Sequence, residues 1–233
     1  MTTAQTFSYA HPHPAVTVDA VVFGVEEDTL KVLLVKRGVE PFAGAWALPG
    51  GFLGLDESLD EAVRRELREE TGADIGFLEQ LYTFGAPDRD PRERVVTVAF
   101  YALVDLPSYR LEAASDAVDA RWFCAGDLPP LAFDHGRIVD LAVRRLRGKL
   151  SWAPVGFELL PEKFTLTELQ RLYEVILGQD LDKRNFRRKV LALGVLEELE
   201  ERRAGVAHRA PRLYRFDVDR YSDRLEAGWE FEL

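Results

Sequence analysis

Apolar residues along this chain recur at two spacings, and the change between them divides it. Residues 15–25 (AVTVDAVVFGV) and 31–37 (KVLLVKR) are nearly continuous apolar runs joined by the polar turn EEDTL, which predicts a hairpin of buried strands. LYTFG, VVTVAFYALV and DARWFC are predicted as further strands. Two other segments repeat near every 3.6 residues: the stretch after Ser58, where Leu59, Val63 and Leu67 form one stripe, and HGRIVDLAVRRLRGKL at 135–150. Ser58 and Glu61 make an S-x-x-E capping box that starts the first of these helices just after Glu57. Strands interleaved with helices over residues 1–150 predict a mixed sheet between helices.

The grammar changes after residue 150. WAPVGFELLPEKF, with its Pro and Gly, is expected as a connector (residues 151–163), and residues 164–233 as a separate domain of helix, helix and hairpin. Thr165-x-x-Glu168 is a second capping box, Leu169, Leu172, Tyr173 and Ile176 share a face, and Gly178 ends that helix. A second helix from about Asp182 to Leu193 turns Phe186, Val190 and Leu193 one way. Lys183, Arg184, Arg187 and Arg188 fall in a sector about 140° wide on the other side. GVAHR and RLYRF, meeting around Ala210-Pro211, are expected as a two-stranded wing whose Arg209, Arg212 and Arg215 project near a duplex backbone. Alone, KRNFRRK would be a solvated charged face; after a capped helix and before a basic hairpin it reads as a contact surface for nucleic acid.

The sharpest chemical signal lies between Gly51 and Gly72, in GFLGLDESLDEAVRRELREETG. On a helix Glu66, Glu69 and Glu70 stand at i, i+3 and i+4 and project onto one face. Converging carboxylates call for a cation, and oxygen-only donors suit Mg²⁺ or Mn²⁺, which bridge to substrate phosphates. EAVRRELREE alone would be an ordinary salt-bridged surface helix. Gly51, Glu57, Arg65, Glu66, Leu67, Glu69, Glu70 and Gly72 in register resemble the signature of the Nudix hydrolases, a match that chance gives with a probability on the order of 10⁻⁷ in a chain this long. The aliphatic position after Gly72 holds Ala73, with Ile75 placed to fill the same space. The resemblance, which covers about residues 15–150, implies cleavage of nucleoside diphosphates linked to another group. It also implies pairing of Arg65 with Glu57 and a backbone carbonyl near Gly50 or Gly51 as a further metal ligand.

Composition bounds what remains. With 233 residues and 47% hydrophobic content the chain can build one large or two medium cores. No apolar run approaches a membrane span, and MTTAQTFSYAHPHP lacks the basic and apolar regions of a signal peptide, so a cytoplasmic location with no membrane partner is expected. Cys124 is the only cysteine, which excludes an internal disulfide, and His11, His13, His135 and His208 show no ligand spacing. Net charge is −8 over residues 1–150 and −2 over 151–233, so any affinity for DNA must come from a local basic patch.

Together the two parts resemble the Nudix-related transcriptional regulators of NAD metabolism, in which a Nudix domain precedes a winged helix-turn-helix. FTLTELQRLYEVILGQDLDKRNFRRKVLALG and LAFDHGRI carry this resemblance. The expected fold is therefore α+β: an α/β/α sandwich with a mixed sheet, then a winged helix. The resemblance implies a dimeric repressor that reads ADP-ribose or a similar metabolite and binds a double-stranded operator through Lys183, Arg184, Asn185, Arg187 and Arg188. Two alternatives stand beside it: a working ADP-ribose-type pyrophosphatase with an accessory C-terminal module, and a regulator responding to a sugar. Glu66, or Glu112, Asp116 or Asp119 from a later loop, are candidates for the base, and Arg37, Phe42 and Trp46 for contacts to phosphate or base.

Overall fold

The computed structural model describes residues 10–72, 75–106, 109, 117–203 and 210–233. Seven strands make one sheet: β1 (Ala15–Glu26), β2 (Thr29–Arg37), β3 (Trp46–Ala47), β4 (Gly50–Phe52), β5 (Phe77–Phe84), β6 (Val95–Leu103) and β7 (Ala117–Cys124). Their order is β3-β2-β1-β6-β5, with β4 also on β1 and β7 also on β2. β1 and β6 run parallel and every other pair is antiparallel, so the sheet is mixed as expected. The β1–β2 hairpin closes through Glu27 and Asp28, both at positive φ (46° and 59°), the backbone of a tight turn matched to strand twist.

β1 is apolar on both faces because both are covered. Val18, Ala20 and Val22 pack with Ala62, Val63 and Leu67 of helix α1 (Leu59–Thr71), and Ile75 joins that cluster. Val21 and Phe23 face the other way, toward Ile138, Ala142 and Leu146 of helix α2 (His135–Lys149). The result is an α/β/α sandwich. Ser58 caps α1 in a complete capping box with Glu61.

The stretch expected as a connector is itself packed. Val155–Leu159 form a 3₁₀ turn in which Val155, Gly156, Phe157 and Leu159 are buried, and Phe157 stacks on Phe216 at 4.5 Å. α3 (Leu166–Leu177) carries the second capping box, Thr165 with Glu168, and α4 (Lys183–Ala192) is capped by Asp182. Leu169, Tyr173 and Ile176 of α3 and Phe186 and Val190 of α4 join the same apolar cluster as α2 and the sheet. Arg171 of α3 reaches Asp28 in the β1–β2 turn at 2.7 Å, and Arg147 of α2 donates to the Ile176 carbonyl at 2.8 Å. The seven-stranded sheet with its helices and the C-terminal helical part thus share one core.

The wing differs from expectation. Its strands are β8 (Leu196–Arg202) and β9 (Arg212–Phe216), in register Leu196↔Phe216 and Glu198↔Tyr214. LEELEER is therefore a partner of RLYRF; the expected partner GVAHR, Gly205, Val206, Ala207, His208 and Arg209, lies outside the described residues. β8 is glutamate-rich and looks unlike a strand, yet each of its acids can face solvent or an arginine of β9 while β9 buries Leu213 and Tyr214. α5 (Val218–Glu226), unanticipated, buries none of its residues and is started by the Asp217 side chain. No helix among the described residues is long and apolar enough to cross a membrane.

Candidate functional site

One wall of the principal cleft is built by α1 and the Leu48–Gly51 loop. Arg65 is its hub: it donates to Glu57 at 2.7 and 3.0 Å, to Glu66 at 2.7 Å, to Glu69 at 3.1 Å and to the Phe52 carbonyl at 3.2 Å. This pairing holds Glu57 down to about 2. Glu70 accepts the Gly50 N–H at 2.9 Å, and burial still pushes its carboxyl up to about 8. Burial raises Glu66 as well, against the opposing pull of Arg65.

Gly50 is required here, and Gly51 leaves room for Glu66 as it stands. Gly50 sits at φ +155°, and a Cβ there would meet the Val18 carbonyl at 2.2 Å; a Cβ on Gly51 would meet Glu66 at 2.2 Å. All donors on this wall are oxygens, which fits a hard divalent cation in kind. They are not a finished cage, since among the described residues no three acidic or imidazole groups stand close enough to hold a metal. Glu70 spends one carboxylate oxygen on Gly50 and Glu66 one on Arg65, which leaves each a second oxygen.

A second group of cleft residues was not anticipated. Asp19 of β1, its carboxylate 8% exposed, accepts from Thr97 Oγ1 at 2.6 Å and lies 3.5 Å from both Arg89 and His135 Nε2. Arg89, 4% exposed, donates to both oxygens of Asp134, at 2.8 and 3.3 Å. His135 Nδ1 accepts the Leu48 N–H at 2.9 Å, and burial lowers the pKa of this imidazole. A ring that accepts at Nδ1 and is disfavoured as a cation is neutral with its proton on Nε2, facing Asp19. These groups and α1 enclose about 570 Å³, together with Thr17, Arg37, Asp90, Arg92 and Phe133.

Of the residues singled out from sequence, Arg37, Gly50, Gly51, Arg65, Glu66, Glu69 and Glu70 line this cleft. Phe42 stands at its edge, meeting Phe133 at 4.9 Å, while Trp46 packs on Phe123 away from the lining. Asp119 is paired with Arg121 at 2.5 Å and does not line the cleft; Glu112 and Asp116 lie outside the described residues. Asp19, Arg89 and Asp134 carried no local signal, although Asp134 and His135 fall inside LAFDHGRI.

A second surface is α4. Lys183, Arg184, Asn185 and Arg188 are exposed, and Arg188 donates to Asn185 at 2.6 Å. Arg187 is half-buried and spends one nitrogen on Thr167 of α3 at 2.8 Å, so it braces the two helices. The wing arginines are matched by acids: Arg212 with Glu198, and Arg215 with Glu197 at 2.7 Å and Glu162 at 3.2 Å. Among the described residues, Arg212 and Arg215 of the hairpin expected to be basic are thus each paired with an acid.

Residues 13–142 match the family described as the NUDIX domain, and residues 156–216 the one described as the NrtR DNA-binding winged helix domain. The ADPR responsive transcriptional repressor NtrR of Acinetobacter baylyi is 38% identical over 215 residues, covering 91% of this chain and 85% of its own length. An ADP-ribose pyrophosphatase of Methanocaldococcus jannaschii is 44% identical over 136 residues, 58% of this chain and 77% of that protein. The crystal structure of Shewanella oneidensis NrtR complexed with a 27mer DNA aligns with a TM-score of 0.79 at 38% identity, covering 89% of this chain and 95% of that one. With both halves matched in order and one relative spanning nearly all of it, this chain belongs to the Nudix family, in the branch whose Nudix domain is followed by an NrtR-type winged helix.

Proposed function

We propose that this protein is a DNA-binding transcriptional repressor that takes ADP-ribose, or a closely similar nucleoside diphosphate derivative, in the cleft between α1 and Arg89. Residues 1–150 hold the ligand, 151–163 connect, and 164–233 read DNA through α4. A repressor acts where the chromosome is, in a bacterium the cytoplasm. One α4 reads one half-site, so the working unit is a two-fold dimer on a near-palindromic operator. The observation that carries this reading is the likeness to a ligand-responsive repressor over 91% of the chain, joined to an oxygen-walled cleft and an exposed cationic helix in one molecule.

The intact carboxylate helix, and the likeness to a pyrophosphatase, favour retained hydrolysis beside regulation. Mg²⁺ or Mn²⁺ held by Glu66, Glu69, Glu70 and the Gly50 carbonyl would neutralise diphosphate charge and acidify a water. Arg65 keeps the glutamates oriented. The test has two arms. Purified protein should shift DNA from its own promoter and, with Mg²⁺ or Mn²⁺, release AMP from ADP-ribose. A shift without turnover confines the cleft to sensing, and turnover by a monomer without a shift supports the pyrophosphatase reading.

A further inference from the structure

Three consecutive residues of the loop that carries Gly50 are held by three different elements. The Leu48 N–H donates to His135 Nδ1 of α2, the Pro49 carbonyl accepts the Ala20 N–H of β1, and the Gly50 N–H donates to Glu70 of α1, each at 2.9 Å. Pro49 has no N–H and a fixed φ, so Leu48 carries the last backbone donor before Gly50 and little slack lies between them. Leu48 is buried, and a buried N–H without an acceptor is costly. Its place therefore depends on the imidazole.

His135 is itself fixed from behind. Its Nε2 lies 3.5 Å from Asp19 Oδ1, and the other oxygen of that buried carboxylate accepts from Thr97 Oγ1 at 2.6 Å. Which ring nitrogen carries the proton is set by the bond that the other makes, so Asp19 leaves Nδ1 free to accept. Asp19 is also the strand partner of Gly50, close enough that a Cβ there would stand 2.8 Å from its Oδ1. The chain entering α2 is tied to the same segment a second time, through the Ala132 N–H and the Trp46 carbonyl at 2.8 Å. One continuous row thus runs from Thr97 through Asp19 and His135 to Leu48.

We propose that His135 is a positioning residue for the divalent cation: it fixes Leu48, and through the rigid Pro49 the direction of the Gly50 carbonyl, while Asp19 holds the ring. This rests on the reading of Gly50 and the α1 glutamates as the cation site, and adds to it a residue from outside the carboxylate signature. Removing a partner that orients a metal ligand lowers metal affinity by about 10–100-fold.

The test is Mn²⁺ binding to the full-length protein without nucleotide, read from the electron paramagnetic resonance signal of free Mn²⁺. His135→Leu, which keeps a body of similar size and removes the acceptor, should weaken Mn²⁺ by about tenfold or more. His135→Asn, whose Oδ1 can stand where Nδ1 stood, should recover most of that loss. His135→Gln, whose amide reaches the Nε2 position instead, should show the same loss as the Leu variant and replaces it if that one does not fold. Leu213→Ala, a cut in the buried side of the wing, should lower the melting temperature and leave Mn²⁺ affinity at the parent value. Parent affinity in His135→Leu and His135→Gln, equal losses in the Leu and Asn variants, or as large a loss in Leu213→Ala overturns the proposal. If Glu70→Gln abolishes Mn²⁺ binding while His135→Leu does not, the cation site stands without His135. A parent that binds no Mn²⁺ overturns both readings. Mn²⁺ binding that follows His135 without turnover of ADP-ribose supports the proposal and confines the cleft to sensing.

Discussion

Arg89 grips Asp134 with two hydrogen bonds, 2.8 and 3.3 Å, from inside the cleft, and Asp134 is the residue from which α2 starts. An aspartate there would ordinarily cap the helix with its own side chain, but this one makes no capping bond. Its carboxylate is committed to the cleft. The next residue, His135, takes the Leu48 N–H of the loop that carries Gly50. At its far end α2 reaches α3 through Arg147 and the Ile176 carbonyl. One helix of 15 residues, about 22 Å long, therefore touches both the ligand cleft and the DNA-reading half.

Removing Arg89 takes the cation from the buried Asp19, which keeps Thr97 and His135, and from the part-buried Asp134. Arg89→Met should cost about 3–5 kcal/mol, read as a melting temperature lower by roughly 6–20 °C in a chain of this size. An unchanged melting curve would show that the pair contributes nothing.

Glu70 supplies a pH dependence. Its folded pKa of about 8 lies above the value of 4.5 for a free glutamate, so between those values the folded chain keeps a proton that the unfolded chain has lost. Stability from this group is complete below about 4.5 and declines as pH rises toward 8. A divalent cation displaces that proton, so Mg²⁺ or Mn²⁺ should stabilise more at pH 8.5 than at 6.5. Glu70→Gln should abolish most AMP release and flatten this pH difference; metal stabilisation that is pH-independent in the parent contradicts the assignment.

On α4 two neighbouring arginines should behave differently. Arg184 is exposed, so Arg184→Ala should weaken DNA binding, lower the log–log salt slope by about 0.9 and leave melting unchanged. Arg187 bonds Thr167, so Arg187→Ala should also lower the melting temperature. Fluorescence anisotropy across a salt series, paired with thermal melts, separates the two. Identical behaviour of both variants would mean that α4 does not face the duplex.

In the wing, Glu197 and Glu198 occupy Arg215 and Arg212. Exposed pairs of this kind are worth about 0–1 kcal/mol, so they can be released at little cost to stability. The double change Glu197→Gln with Glu198→Gln should tighten DNA binding and steepen its salt dependence. Unaltered affinity would place these arginines away from the phosphates.

Local patterns were legible and distant pairings were not. The carboxylate helix and both capping boxes depend on spacings of three and four residues, and α1 and α3 start and stop where those spacings place them. Ile75 is buried as its sequence position suggested. The Arg89–Asp134 and Leu48–His135 bonds join residues 45 and 87 apart and leave no periodic mark. The wing was half read: RLYRF is a strand as expected, while its partner LEELEER carries no apolar alternation and sets Glu197 and Glu198 against Arg215 and Arg212.

If the cleft and α4 belong to one switch, linkage ties their affinities together. A ligand that prefers the arrangement unfit for DNA must lose affinity on DNA by the same factor that it costs the DNA. Affinity for promoter DNA should be measured with and without saturating α,β-methylene-ADP-ribose, and affinity for that analogue with and without saturating DNA. The account predicts two equal factors, within about 5–150-fold, each a weakening. Tight binding of both partners with each indifferent to the other would contradict it.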